Sequence, residues 1–182
     1  MSQYKLTYFH FTGRAGVARM IFAYNDVDFV DERLDEAQWK ERKADAIFGQ
    51  LPLLEVDGKV LAQSNAINRL LARTYDMAGK TNFEQAQADM IVDFIEECFD
   101  PLMPVFRMAE DEKPALKQSW TERHLSRLLT RLEKVLAGNN GGDGYLVGDG
   151  LTWADLTFIN HISWLGPYKW KLTGSRLRNL RH

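Results

Sequence analysis

Side chains that can donate to a negative charge recur through the first third of the chain. Tyr8 stands near the end of the first apolar segment, and its hydroxyl is a donor to a charged acceptor. Arg14 and Lys43 carry positive charge, and the indole of Trp39 adds an N–H donor. Ser64 lies where a predicted strand becomes a helix, whose exposed N–H groups attract carboxylates. The plainer interpretations are a strand aromatic, solvated charges, a packing indole and an ordinary N-cap serine.

Composition excludes several other kinds of chemistry. The single cysteine, Cys98, excludes an internal disulfide and a cysteine-based zinc cluster, and no metal requirement is expected. Cys98 lies on an apolar helical stripe, away from Tyr8, which disfavours thiol–disulfide exchange. A net charge of −2 argues against nucleic-acid binding. Without a leader or an apolar run of ~18 residues, we expect no membrane association and a cytoplasmic location.

The elements that must position these side chains are strands and helices in alternation. Strands are predicted at Lys5–Phe9, Phe29–Leu34, Leu51–Val56 and Lys59–Ala62. Residues recur at helical spacing after Gly13, over residues 36–47 and again from Ser64, which predicts a helix in each place. Asp57-Gly58 predicts a two-residue hairpin turn. The order is βαβαββα, an α/β arrangement over residues 1–78.

The rest of the chain is predicted to be helical. An apolar stripe runs along one predicted helix, with Pro101 and Pro104 expected to kink it; its members are Ile91, Phe94, Ile95, Cys98, Phe99 and Leu102. Thr152 and Asp155 form a capping box before another helix. We therefore predict an all-α domain over residues 83–165. A basic tail over 166–182 follows it, with five positive and no acidic side chains.

The motifs in this order resemble the cytosolic glutathione transferases, over roughly residues 4–165. The resemblance is closest to the sigma class, which includes haematopoietic-type prostaglandin D synthase. The segments that carry it are Tyr8-Phe9, Gly13-Arg14-Ala15, Trp39, Lys43, Phe48-Gly49-Gln50-Leu51-Pro52, Asp57-Gly58, Gln63-Ser64, Ala66-Ile67 and Thr152-Trp153-Ala154-Asp155. It implies a thioredoxin-like N-terminal domain followed by a helical C-terminal domain.

The resemblance also implies a site. Tyr8 would stabilise the glutathione thiolate, and Arg14, Trp39 and Lys43 would hold the glycyl end. Glutathione is then the co-substrate and the chain a homodimer. Further contacts are implied for Gln50, for the Leu51 main chain before a cis Pro52, for Gln63 and Ser64 at the γ-glutamyl carboxylate, and for Glu97 across the dimer. A solvated helix face is the alternative role for Glu97.

Three features depart from the resembling family. Thr12 and Gly16 stand where relatives commonly carry Arg and Glu, and the end of the chain from residue 166 is short and basic. The function implied is conjugation of glutathione to hydrophobic electrophiles, a detoxification reaction. The alternatives are a prostaglandin D synthase-type isomerase, a non-catalytic protein that binds glutathione or haem-like ligands, a thiol–disulfide oxidoreductase and a truncated chain that folds poorly.

Overall fold

The structure, a computed structural model, describes residues 2–165. The basic tail predicted over 166–182 lies outside the described residues. The chain divides into two compact units, with the boundary between Ala78 and Gly79. All the strands of the described part belong to the first unit, and the second unit consists of helices and loops.

The first unit is a four-stranded mixed sheet with three α-helices. Its elements are β1 (Tyr4–Phe9), α1 (Gly16–Tyr24), β2 (Val30–Leu34), α2 (Glu36–Arg42), β3 (Leu53–Val56), β4 (Lys59–Ala62) and α3 (Ser64–Thr74). The strand order is β2-β1-β3-β4. β1 pairs parallel to β2 and antiparallel to β3, which pairs antiparallel to β4. This is the predicted order βαβαββα.

β1 is an inner strand, paired with β2 on one side and β3 on the other. Leu6, Thr7 and Tyr8 are all buried. The predicted hairpin is present: Asp57 and Gly58 have φ values of 49° and 80°, the two positive values that a type I′ turn requires. The largest fully buried side chains of this unit are Leu6, Ile21, Phe22, Leu54, Ile67 and Leu71.

The second unit contains α4 (Asn82–Phe99), α5 (Lys113–Trp120), α6 (Ser126–Gly138) and α7 (Trp153–Ser163). The predicted kink at Pro101 and Pro104 takes another form, because α4 ends at Phe99 and both prolines lie in the 3₁₀ segment Asp100–Phe106. Proline lacks the N–H that an α-helix needs, which explains why α4 stops there. A π-helical turn, Thr121–Leu125, joins α5 to α6.

α7 begins at the predicted capping box, which is fully buried. Asp155 Oδ2 accepts from the backbone N–H and the hydroxyl of Thr152, both at 2.8 Å. Its Oδ1 accepts from the Leu146 N–H at 2.8 Å, which ties the preceding loop to the helix. Asp155 is 0% exposed, so water cannot replace these bonds.

Replacing Asp155 with alanine should therefore lower the free energy of unfolding by about 3 kcal/mol or more, because two buried N–H donors lose their acceptor. Urea denaturation measures the loss. Asp149→Ala is the matched control, since its carboxylate pairs with Lys80 at the surface, where exposed pairs contribute little to stability. Equal losses in the two variants would contradict the prediction.

None of the helices within residues 2–165 has the length and apolar character that a membrane span requires.

Candidate active site

Tyr8 lies at the end of β1, and its side chain is buried. It is 7% exposed, and its strand neighbour in β2 is Arg33. The phenol oxygen accepts a hydrogen bond from the backbone N–H of Arg14 at 3.2 Å. That bond uses the oxygen as an acceptor, so the hydroxyl hydrogen can still be donated to a ligand. The structure therefore brings two predicted site residues, Tyr8 and Arg14, into direct contact.

Burial raises the pKa of the Tyr8 phenol. The hydrogen bond from the Arg14 amide and the positive charges of Arg14 and Arg19 act in the opposite direction, but burial outweighs them. The phenol is therefore protonated at neutral pH. In this state Tyr8 acts as a hydrogen-bond donor to an anion, and it cannot act as a phenolate base.

Gly13 makes the approach of the Arg14 amide to Tyr8 possible. Its φ of +40° lies in the left-handed region, which glycine adopts without steric cost. A Cβ at this position would lie 2.5 Å from Tyr8 Oη and 2.7 Å from the Phe11 ring. Glycine is therefore the residue that lets the 3₁₀ turn Gly13–Ala15 pass close to the phenol.

Aromatic rings surround the phenol on one side. The Tyr8 ring meets Phe9 and Phe11 edge to face, with centroids 5.5 and 5.4 Å apart. Phe9 stacks on Phe11 and contacts Trp39 edge to face at 6.5 Å between centroids. Phe11 is 54% exposed, so this cluster presents an apolar surface to solvent beside the phenol.

Trp39 and Lys43 lie on or just after α2, a helix with no buried residue. Polar contacts hold it. Arg42 forms an ion pair with Glu32 of β2 at 3.1 Å, and Glu32 also accepts from the Thr7 hydroxyl at 2.7 Å. The α2 N-terminus has its own capping box between Asp35 and Gln38. Lys43 is exposed and Trp39 is half-buried.

Ser64 is buried and is the first residue of α3. The N-cap is Gln63, without a side-chain capping bond, so the interpretation of Ser64 as an ordinary N-cap is wrong. Gln63 has φ +73°, a strained value for a residue with a side chain, and such strain concentrates at functional sites. The Leu51–Pro52 bond is cis, with Pro52 buried and Gln50 exposed just before it.

Glu97 belongs to the second unit, and the structure pairs it with Arg127 of the same chain at 2.8 Å. Cys98 is fully buried, and burial raises the pKa of its thiol, which is the reverse of what a nucleophilic cysteine needs. Within residues 2–165 no cluster of three or more His, Cys, Asp or Glu side chains is arranged to hold a metal.

Sequence patterns missed Arg19, Asp31 and Arg33, which form hydrogen bonds around the loop after β1. One signal was available. Asp31 and Arg33 are two residues apart on a predicted strand and therefore share a face of the sheet. Arg19 gave no signal, because an arginine among apolar helix positions is typical of a solvated helix face.

The first unit has the thioredoxin-like fold, with a buried tyrosine at the end of its first strand, and a helical unit follows it. Two family models match the chain: the N-terminal domain of glutathione S-transferases over residues 4–73 and their C-terminal domain over residues 96–175. The chain belongs to the glutathione S-transferase family.

Individual relatives are similar over most of the chain. Glutathione S-transferase 1 of Ascaris suum is 44% identical over 169 residues, covering 90% of this chain and 81% of the relative. Human hematopoietic prostaglandin D synthase is 41% identical over 158 residues, covering 85% and 75%. A crystal structure of a monomeric glutathione S-transferase from the hookworm Necator americanus superposes with a TM-score of 0.89 at 34% identity, covering 98% and 89%.

Proposed function

We propose that this chain conjugates glutathione to hydrophobic electrophiles and that the Tyr8 hydroxyl donates a hydrogen bond to the glutathione thiolate. The contact that carries the proposal is the 3.2 Å bond from the Arg14 amide to Tyr8 Oη, because it orients a buried, protonated phenol. The names of relatives such as glutathione S-transferase 1 of Ascaris suum support the reaction class.

The energy that one such bond supplies fits the task. A free thiol has a pKa of ~8.5, so only about 3% of it is thiolate at pH 7. Lowering that pKa by ~2 units requires about 2.7 kcal/mol of preferential stabilisation of the anion. A hydrogen bond to a charged acceptor contributes about 1.5–3 kcal/mol. The Tyr8 hydroxyl can therefore account for most of the activation.

The remaining glutathione contacts follow from the charges of the tripeptide. Arg14, Trp39 and Lys43 bind the glycyl carboxylate, and the aromatic contact between Trp39 and Phe9 supports the placement of α2 near the end of β1. The γ-glutamyl carboxylate binds at the N-terminus of α3, where the buried Ser64 and the strained Gln63 lie. The Leu51 main chain, with Gln50 beside it, pairs with the cysteinyl backbone as an added strand would.

The assembly proposed is a cytoplasmic homodimer in which Glu97 reaches the γ-glutamyl amine bound to the partner subunit. The support is the exposed position of Glu97 on α4, with its side chain 61% exposed. In this dimer Glu97 exchanges part of its contact with Arg127 for the amine. No metal takes part in the proposed reaction.

Isomerisation of a prostaglandin endoperoxide is the second candidate reaction. One observation favours it: the human relative at 41% identity is named a prostaglandin D synthase. Both reactions begin with the same thiolate, so the apolar surface formed by Phe9 and Phe11 would select between the electrophiles.

The test is an ultraviolet titration of the thiolate absorbance of glutathione bound to the purified chain. We expect the bound thiol to titrate ~2 units below its free pKa of ~8.5, so that the thiolate signal is already large at pH 7, falls to half at pH ~6.5 and is lost below about pH 5.5. Absence of a thiolate signal at saturating glutathione would contradict catalysis. Binding without that signal would instead identify a non-catalytic glutathione-binding protein.

A further inference from the structure

The three backbone carbonyls that follow the β1 tyrosine are each bound by an arginine. Arg19 donates through Nη1 to the Phe11 carbonyl at 2.9 Å and through Nη2 to the Phe9 carbonyl at 3.3 Å. Arg33 donates through Nη1 to the His10 carbonyl between them, also at 3.3 Å. A surface loop ordinarily satisfies these oxygens with water, so three consecutive arginine contacts fix this loop to an unusual degree.

One carboxylate holds both arginines. Asp31 Oδ1 accepts from Nε and Nη2 of Arg19 at 3.1 and 3.0 Å. Asp31 Oδ2 accepts from Nε of Arg33 at 2.9 Å and lies 2.7 Å from its Nη2. Asp31 is paired in β2 with Leu6 of β1, so the carboxylate is fixed by the sheet. Burial raises the pKa of Asp31, but the two arginines outweigh it and hold the pKa below its ordinary value.

This network is connected to the phenol by two routes. The loop held by the arginines runs directly into Gly13 and Arg14, whose amide donates to Tyr8 Oη. In addition, the Arg19 guanidinium carbon lies 5.9 Å from the centroid of the Tyr8 ring, within the range of a cation–π contact. Release of Arg19 would therefore affect both the loop and the electrostatic environment of the phenol.

We propose that Asp31 is a positioning residue for Tyr8, because it anchors Arg19 and Arg33 on the loop whose conformation places the Arg14 amide on the phenol oxygen. The catalytic consequence rests on the function proposed above. The side chains that Asp31 holds, Arg19 and Arg33, are not among those proposed to bind glutathione, and it acts on Arg14 through the loop backbone rather than through the guanidinium. Its contribution is therefore expected in the thiolate population and not in glutathione affinity.

The test compares Asp31→Asn with Asp28→Asn in the full-length chain. Both variants lose one negative charge, and Asp28 is an exposed residue three positions earlier. We expect Asp31→Asn to raise the pKa of bound glutathione by about 0.5–1 unit, which corresponds to a loss of about two- to sixfold in kcat/KM at pH 6.5. KM for glutathione should stay within about twofold, and Asp28→Asn should match the wild type in both quantities.

A second variant, Arg33→Gln, tests the proposal in case Asp31→Asn does not fold. Arg33 is 46% exposed, so Arg33→Gln removes the His10 contact at small cost to the fold. It should shift the thiol pKa in the same direction and by less. A folded Asp31→Asn chain whose bound thiol titrates like the wild type would overturn the proposal. If Asp31→Asn does not fold, an Arg33→Gln chain whose bound thiol shows no pKa shift would overturn it instead.

A measurement without glutathione separates this proposal from the proposed function. Hydrogen exchange of the Arg14 amide in the free protein reports directly on its bond to Tyr8. We expect exchange at least about tenfold faster in Asp31→Asn than in Asp28→Asn. If the wild type binds no thiolate but exchange of the Arg14 amide still depends on Asp31, the catalytic role is contradicted and the anchoring of the loop by Asp31 is supported. Unchanged exchange overturns the anchor itself.

Discussion

Tyr8→Phe is expected to bind glutathione and to leave its thiol protonated at neutral pH. The variant removes one oxygen atom, and with it the only group on Tyr8 that can donate to the thiolate. If the hydroxyl supplies about 2.7 kcal/mol, kcat/KM falls about 25-fold at pH 7 and about 100-fold well below pH 6.5, in step with the thiolate population. The activity should recover as pH rises toward ~8.5, because the free thiol ionises there without help.

The control for this variant is Tyr24→Phe, which makes the same change at a side chain that is 63% exposed. It should leave activity and stability unchanged. Tyr8→Phe also deprives the Arg14 amide of its acceptor, at a cost of about 1 kcal/mol in unfolding free energy, which denaturation separates from the catalytic loss. A Tyr8→Phe chain that keeps more than about a third of wild-type kcat/KM would contradict the role of the hydroxyl.

Gly13→Ala is expected to reduce activity about 10- to 100-fold and to destabilise the fold by about 2 kcal/mol. Two effects add at this position. The left-handed backbone costs an alanine about 1 kcal/mol, and the new Cβ would lie 2.5 Å from Tyr8 Oη. The phenol must therefore move away from the Arg14 amide, and kinetics with thiolate titration measures the result.

Gly58→Ala separates the two effects. Gly58 also has a positive φ, +80°, but a Cβ there would meet nothing within 4 Å. This variant should lose about 1 kcal/mol of stability and no activity. If Gly58→Ala and Gly13→Ala reduce activity equally, the contact with Tyr8 is not the cause.

Local sequence signals were enough to predict the framework of the first unit. The succession of strands and helices along the chain and the hairpin at Asp57-Gly58 depend on propensity and on positive φ values, which neighbouring residues encode. The α7 capping box was equally visible, because Thr152 and Asp155 satisfy each other within one helical turn. The family resemblance added the candidate site residues, which local patterns alone would have left as ordinary strand and helix positions.

Features that depend on contacts between distant segments could not be predicted. The link from Asp31 to Arg19 requires β2 to lie parallel to β1, and the spacing of either residue does not reveal that. The position of Ser64 inside α3 depends on the strained φ of Gln63. α5 was missed because Trp120 is its one buried residue, so no apolar stripe marks the helix.

The absence of buried residues in α2 has a consequence for how the chain responds to its substrate. Apolar burial gives most helices in proteins their stability, and α2 lacks it. Opening of α2 is therefore opposed mainly by one ion pair, one capping box and the contact of Trp39 with Phe9, which places this helix among the least protected elements of the sheet unit. A ligand that bridges Trp39 and Lys43 binds only when α2 is folded. Part of its binding free energy is therefore used to order the helix. At saturating substrate the bound ligand therefore supplies stabilisation of α2 that apolar burial supplies in other helices.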